Sequence, residues 1–197
     1  GIYPVLTASA AVIFENYFRK LFPRILLVSI IIGLEILSLP MGKPIFAPGK
    51  MVEYFDRMEE ITGNDAIRRD EDNGYNRLPQ DYADMVGWKE LTGIASRAWQ
   101  KVENKDNAFI YCENYGQAGA INILGEEFGL PDAISFSDQF RYWAPAKFDT
   151  EITHIIYIND EPGEDVRKLF AEIEEIGKIS NPLAREYGTG VYLCSEP

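Results

Sequence analysis

Apolar residues crowd into the first quarter of the chain. Residues 25–39 read ILLVSIIIGLEILSL, with one charge, Glu35, and a shorter apolar run covers residues 2–14. Arg19, Lys20 and Arg24 lie between the two. A spanning helix needs about 20 predominantly apolar residues. Widening the longer run to 21–40 reaches that length, and Arg24 near its end can snorkel. Glu35 inside the run costs about 2–3 kcal/mol on insertion scales, so it is expected to face a neighbouring helix or the interface. The competing reading is a buried amphipathic helix of a soluble protein. If the runs span, the basic loop between them stays cytoplasmic. The chain then leaves the bilayer through a stiff linker at Pro40, Pro44 and Pro48, with Gly42 and Gly49. On this reading residues 1–50 are a hydrophobic helical segment with its exit linker, in contact with lipid through residues 2–39. Residues 51–197 are a soluble domain on the extracytoplasmic side of an inner or plasma membrane.

After Lys50 the pattern becomes that of a globular domain. Residues 51–62 (MVEYFDRMEEIT) place apolar side chains at helical spacing and end at Gly63. Residues 65–76 are densely charged and read as an exposed loop, with a turn at Asp72-Asn73-Gly74; the stretch lacks the ligand spacing of a calcium loop. Residues 84–102 predict a helix capped near Asp84, with Trp88, Leu91, Ile94, Ala95, Ala98 and Val102 as its inner stripe. Strands are expected at 107–112 (NAFIYC), 133–136, 154–158, 171–179 and 190–194, and helices at 117–128 and 164–170. The last two strands form an antiparallel hairpin. Strand–helix–strand order with buried Val/Ile runs predicts an α/β fold, a Rossmann-like sandwich with a partly parallel sheet of four or five strands.

Charge narrows the partners. The whole chain carries a formal −12. The part after Lys50 carries −15, from 14 basic against 29 acidic side chains. So acidic a body repels phosphate backbones, and no nucleic-acid partner is expected. Only Cys112 and Cys194 and a single histidine, His154, are present. The two cysteines either pair in an oxidising compartment or stay buried as thiols. With no CxxC or Cys/His cluster, neither a metal site nor another cofactor is expected. Gly1 reads as a scar of tag removal, which implies a piece of a longer protein.

Two stretches are candidates for ligand chemistry. Asn114, Tyr115, Gly116, Gln117 and Gly119 lie in a turn between a predicted strand and helix. Backbone N–H groups at such a helix start can cradle a phosphate or carboxylate, and the carboxyl ends of strands host ligands in such sheets. The plainer use is a tight crossover turn with Asn114 capping the helix. Arg141, Tyr142 and Trp143 follow Phe140 in an aromatic loop that suits stacking on a sugar ring, or packing over a sheet edge or a membrane interface. Asp81 and Asp84 are spaced for acid–base or metal work, but an Asp before a helix more often caps it and meets its dipole. Triad, GxSxG, HExxH and P-loop patterns do not occur.

LPQDYADMVGW at 78–88, ENYGQAGAINILG at 113–125, and GLP at 129–131 followed by the loop with Trp143 carry a resemblance. Together they resemble the carboxy-terminal domain of family 39 membrane glycosyltransferases, relatives of the dolichyl-phosphate-mannose-protein mannosyltransferases and of the lipid A aminoarabinose transferase. YPVLTASAAVIFE at 3–15 and the run to Pro48 are similar to that family's last spanning helices and exit. The resemblance implies a parent enzyme that takes a sugar from a polyprenyl-phosphate donor. It also implies that the catalytic carboxylates lie in an early extracytoplasmic loop outside these residues, so no catalytic residue is carried over. The remainder of the parent enzyme and a glycan acceptor are the implied partners. The alternative is a free-standing α/β module that binds a sugar or phosphorylated ligand at residues 114–119.

Overall fold

The computed structural model describes residues 1–70, 73–147 and 151–197. The chain divides into two units, Gly1–Gly63 and Asn64–Pro197. The helix expected to open the soluble part therefore groups with the amino-terminal unit.

That first unit is three helices: α1 (Tyr3–Tyr17), α2 (Leu21–Gly42) and α3 (Pro48–Thr62). α2 is long and apolar enough to cross a membrane; over its most apolar window the mean hydropathy is 2.2 and 6% of that window is buried. α1 has 15 residues in this chain, short of the ~20 a span needs. Arg24 does more than snorkel. Its Nε donates to Phe18 O at 2.6 Å and its Nη2 to Glu15 O at 3.0 Å. It thereby satisfies carbonyls at the end of α1 that the helix leaves without partners. The linker is shorter than expected: Pro40 lies inside α2 and Pro48 opens α3. Gly63 ends α3 in the left-handed region, as its position predicts.

The second unit is a mixed α/β domain. Its elements are α4 (Gln80–Ala83), α5 (Trp88–Lys101), β1 (Ala108–Cys112), α6 (Tyr115–Leu124), β2 (Ala133–Ile134), β3 (His154–Asn159), α7 (Glu164–Leu169), β4 (Glu172–Lys178) and β5 (Gly190–Ser195). The five strands form one sheet in the order β2-β1-β3-β5-β4. β1 pairs in parallel with β2 and β3, whereas β5 runs antiparallel to both β3 and β4. The sheet is therefore partly parallel and has five strands.

Side-chain alternation along the strands builds two layers of packing. Ile110, Cys112, Ile156, Ile158, Val191 and Leu193 face α5 and α6, where Leu91, Ile94, Ala95, Ala98, Ala118 and Ile121 meet them. Tyr157, Tyr192 and Cys194 lie on the opposite face with Val166 and Phe170. Each edge is protected against adding a further strand. β2 has only two residues, and β4 carries Glu174 and Glu175, paired to Lys101 and Lys178.

The cysteines do not pair: both are free and buried. Cys112 sits opposite Ile158, whose other neighbour is Val191, and Cys194 lies three positions beyond Val191 on β5. Two strand spacings and three residue rises put them roughly 14 Å apart, on opposite faces, well outside disulfide reach.

The helix expected from 84 to 102 is broken. α4 ends at Ala83, and α5 starts only after Gly87, at φ +99°. A Cβ there would lie 3.0 Å from the Ala184 Cβ and 3.3 Å from Ile179 Cγ2. Asp84 does not open α5; its backbone N–H closes α4 on the Gln80 carbonyl, and its carboxylate meets Arg185. The conformation and the close packing both demand glycine. Gly87→Ala is expected to destabilise the full chain by about 1–3 kcal/mol, read from the urea unfolding midpoint.

Candidate functional site

In open α/β sheets, ligands gather at the carboxyl ends of strands where the strand order reverses. Here that crevice lies between β1 and β3, because α6 carries the chain from β1 to β2 on one side while β3 lies on the other. Glu113 and Asn114 follow β1, and Asn159 and Asp160 end and follow β3. The turn singled out from the sequence joins β1 to α6 at this end of the sheet, and its groups are engaged. Asn114 Oδ1 accepts the Gly116 N–H at 2.6 Å, and Gln117 Oε1 accepts the Asn114 N–H at 3.3 Å, a reciprocal capping box. Gln117 is buried, and its Nε2 donates to Glu186 at 2.8 Å. Tyr115 is exposed.

The glycines serve aromatic packing. A Cβ on Gly116 would stand 3.4 Å from the Trp88 ring, and one on Gly119 would stand 3.9 Å from Phe140. One face of α6 is therefore bare backbone on which rings can rest.

Carboxylates surround the crevice. Tyr157 donates to Glu113 at 2.9 Å and receives the Asn159 amide at 3.2 Å. Thr189 donates to Asp160 at 3.0 Å, with Glu186 at 3.2 Å, and Tyr192 donates to the Asp160 carbonyl at 2.8 Å. Burial, reinforced by Glu113, pushes the Tyr111 phenol up to about 12 and the Tyr157 phenol upward as well, so both remain protonated donors. An incoming phosphate would meet Glu113, Asp160 and Glu186 at this helix start, which offsets the favourable helix dipole. No group of three or more His, Cys, Asp or Glu suited to a metal occurs among the described residues.

Nucleophilic chemistry finds no assembled pair here. Burial pushes the Cys112 thiol far up. His154 pairs across the sheet with Ala108, four residues or about 13 Å along the strand from Cys112. Its Nδ1 lies 2.9 Å from the Thr153 hydroxyl.

The aromatic loop builds a different concavity. Residues 138–142 form a 3-10 turn, and Trp143 follows. The Phe140 and Trp143 rings meet edge to face at 5.5 Å. They line a cleft of about 540 Å³ with Asn122, Asp132, Ser135 and Pro145. Asn122 Oδ1 accepts the Ala133 N–H at 2.6 Å, which fixes the amide between α6 and β2. Trp143 is 74% exposed, an indole face available to a ligand. Arg141 and Tyr142 are not among the lining residues; they stack on each other, guanidinium to ring centroid 5.2 Å. The structure therefore brings Trp143 to a cleft, leaves Arg141 and Tyr142 as an exposed pair, and holds residues 114–119 in a cap. Asn122 and Asp132 carry no motif of their own and join Trp143 only through folding.

No family model, curated protein or solved structure matches the chain.

The segment that supplies Glu186 and Thr189 is clamped from a distance. Glu90 on α5 accepts the Ser180 hydroxyl at 2.6 Å, the Ser180 N–H at 2.9 Å and the Asn181 N–H at 3.4 Å. The Ser180 hydroxyl, then the two backbone donors, hold the Glu90 carboxyl below its usual range against the opposing effect of burial. A depressed folded-state pKa adds stability above the unfolded carboxyl value, about 4.3, and that stability drains away as pH falls through the folded value. Glu90→Gln should therefore be less stable than the parent at pH 7. The gap should narrow below about pH 4, as measured by urea unfolding of both proteins across that range.

Proposed function

We propose that this chain is the non-catalytic, extracytoplasmic carboxy-terminal part of a membrane glycosyltransferase whose parent takes its sugar from a polyprenyl-phosphate donor. The observation that carries the reading is α2, a 22-residue apolar helix in which Pro40 alone is buried. Bare apolar surface of that extent has its natural solvent in lipid. Arg19 and Lys20 just before α2, with Arg24 in its first turn, favour a cytoplasmic amino end and an exported carboxyl end. The paired motifs at 78–88 and 113–125 supply the enzyme class, by resemblance. The Trp143 cleft supports a role in holding the acceptor glycan, since an indole face with a neighbouring amide and carboxylate suits a sugar's apolar face and hydroxyls.

The second reading, a free-standing module that takes a phosphorylated ligand at residues 114–119, draws support from the place of that turn at the sheet's switch point. The three carboxylates around it weigh against a phosphate.

Two measurements test the proposal. Alkaline phosphatase fused after Pro197 in a bacterial host should be active, and green fluorescent protein at the same point should be dark; the reverse pattern overturns the orientation. Calorimetry of the full chain in a sugar-free detergent should show binding of mannotriose or maltotriose that weakens roughly tenfold or more in Trp143→Ala. Equal heats in both proteins would remove the cleft from the reading.

A further inference from the structure

A second cleft, of about 440 Å³, opens where the segment after β4 meets the residues leading into α4. Its lining includes Asp70, Asn76, Arg77, Gln80, Arg185 and Tyr187. The unit from Asn64 onward has 13 basic against 25 acidic side chains, yet two arginines converge on this one hollow. Neither is used up. Arg77 is exposed and has no hydrogen bond or ion pair among the described residues. Arg185 engages Asp84 through Nη1 alone, at 3.3 Å to each carboxylate oxygen, leaving Nε and Nη2 as donors. The guanidinium's planar fork matches carboxylate or phosphate oxygens.

The other walls argue against a bare anion. Asp70 takes the Gly74 N–H at 2.6 Å and the Asn76 amide at 3.2 Å, and its charge opposes a small multivalent ion. A ligand rich in hydroxyls turns the same carboxylate into an acceptor. Gln80 offers amide donors and an acceptor, and Asn76 its carbonyl oxygen and one remaining N–H, the set that matches neighbouring ring hydroxyls. Tyr187, 62% exposed, presents an aromatic face to the apolar side of a ring. We propose that this cleft binds an anionic sugar: Arg77 and Arg185 take its acid group, Asp70, Asn76 and Gln80 its hydroxyls, and Tyr187 its ring. The acid group is a carboxylate in a uronic acid or a phosphate in a sugar phosphate, and the recognition chemistry is shared. The inference needs only this cleft and is independent of the glycosyltransferase reading.

The test is calorimetry on the full chain in a sugar-free non-ionic detergent, with glucuronate, glucose 1-phosphate, glucose and inorganic phosphate as probes. At least one anionic sugar should bind roughly tenfold or more tighter than both glucose and inorganic phosphate. The preferred one identifies the acid group. Arg77→Gln should erase that preference with an unchanged thermal melt, because Arg77 holds no structural contact. Tyr187→Ala should weaken the anionic sugar and leave inorganic phosphate unaltered. Anionic sugars no tighter than glucose, inorganic phosphate as tight as either sugar, or a preference that survives in Arg77→Gln would each overturn the proposal.

Discussion

The grip of Glu90 on the backbone at Ser180 and Asn181 organises most of what is chemically interesting in this domain. A carboxylate that accepts three hydrogen bonds from a segment 90 residues away closes a long loop at one point. From that point the chain runs through Arg185, Glu186, Tyr187 and Thr189 before it enters β5. Those four side chains serve two different places. Glu186 and Thr189 complete the polar network at the ends of β1 and β3, while Arg185 and Tyr187 wall the arginine cleft. Without the clamp, the segment would lose its polar tie to α5 and be held on that side by the packing of Ile179 and Ala184. Charge-assisted hydrogen bonds to backbone donors suit this task, because they fix direction as well as distance.

The regular elements were visible in the sequence from two simple patterns. Continuous apolar runs in NAFIYC and HIIYI marked strands buried on both faces, and the 3.6-residue stripe from Leu91 to Val102 marked the inner face of α5. Asn114 as a helix cap was readable as well, but its reciprocal bond with Gln117 came only with the fold. Asp84 misled: an acid before an apolar stripe imitates an N-cap, but Gly87 in a positive-φ conformation breaks the helix and frees Asp84 for Arg185. Pro40 misled in the same way, because a proline late in a helix resembles a terminator. The turn at Asp72-Asn73-Gly74 lies partly outside the described residues. Beyond it, the expected exposed loop is more structured than its charge suggested: Arg69 and Tyr75 form a β-bridge and Arg68 is buried.

The clefts were out of reach for a different reason. Trp143 stood out by type, but Asn122 and Asp132 meet it through the α6–β2 connection. Arg77 and Arg185 are more than 100 residues apart. No local rule of spacing joins such groups; the sheet order does. The glycines of the 114–119 turn show the same limit. Their presence was plain, but that Trp88 and Phe140 lie close to them came only with the fold.

The two thiols lie across the sheet from one another, each sealed within its own layer of packing. The covalent wiring of this fold is consequently the same under a reductant as under an oxidant. A glutathione-rich cytosol and an oxidising periplasm would leave it equally intact, so cysteine content is silent about which compartment the domain inhabits.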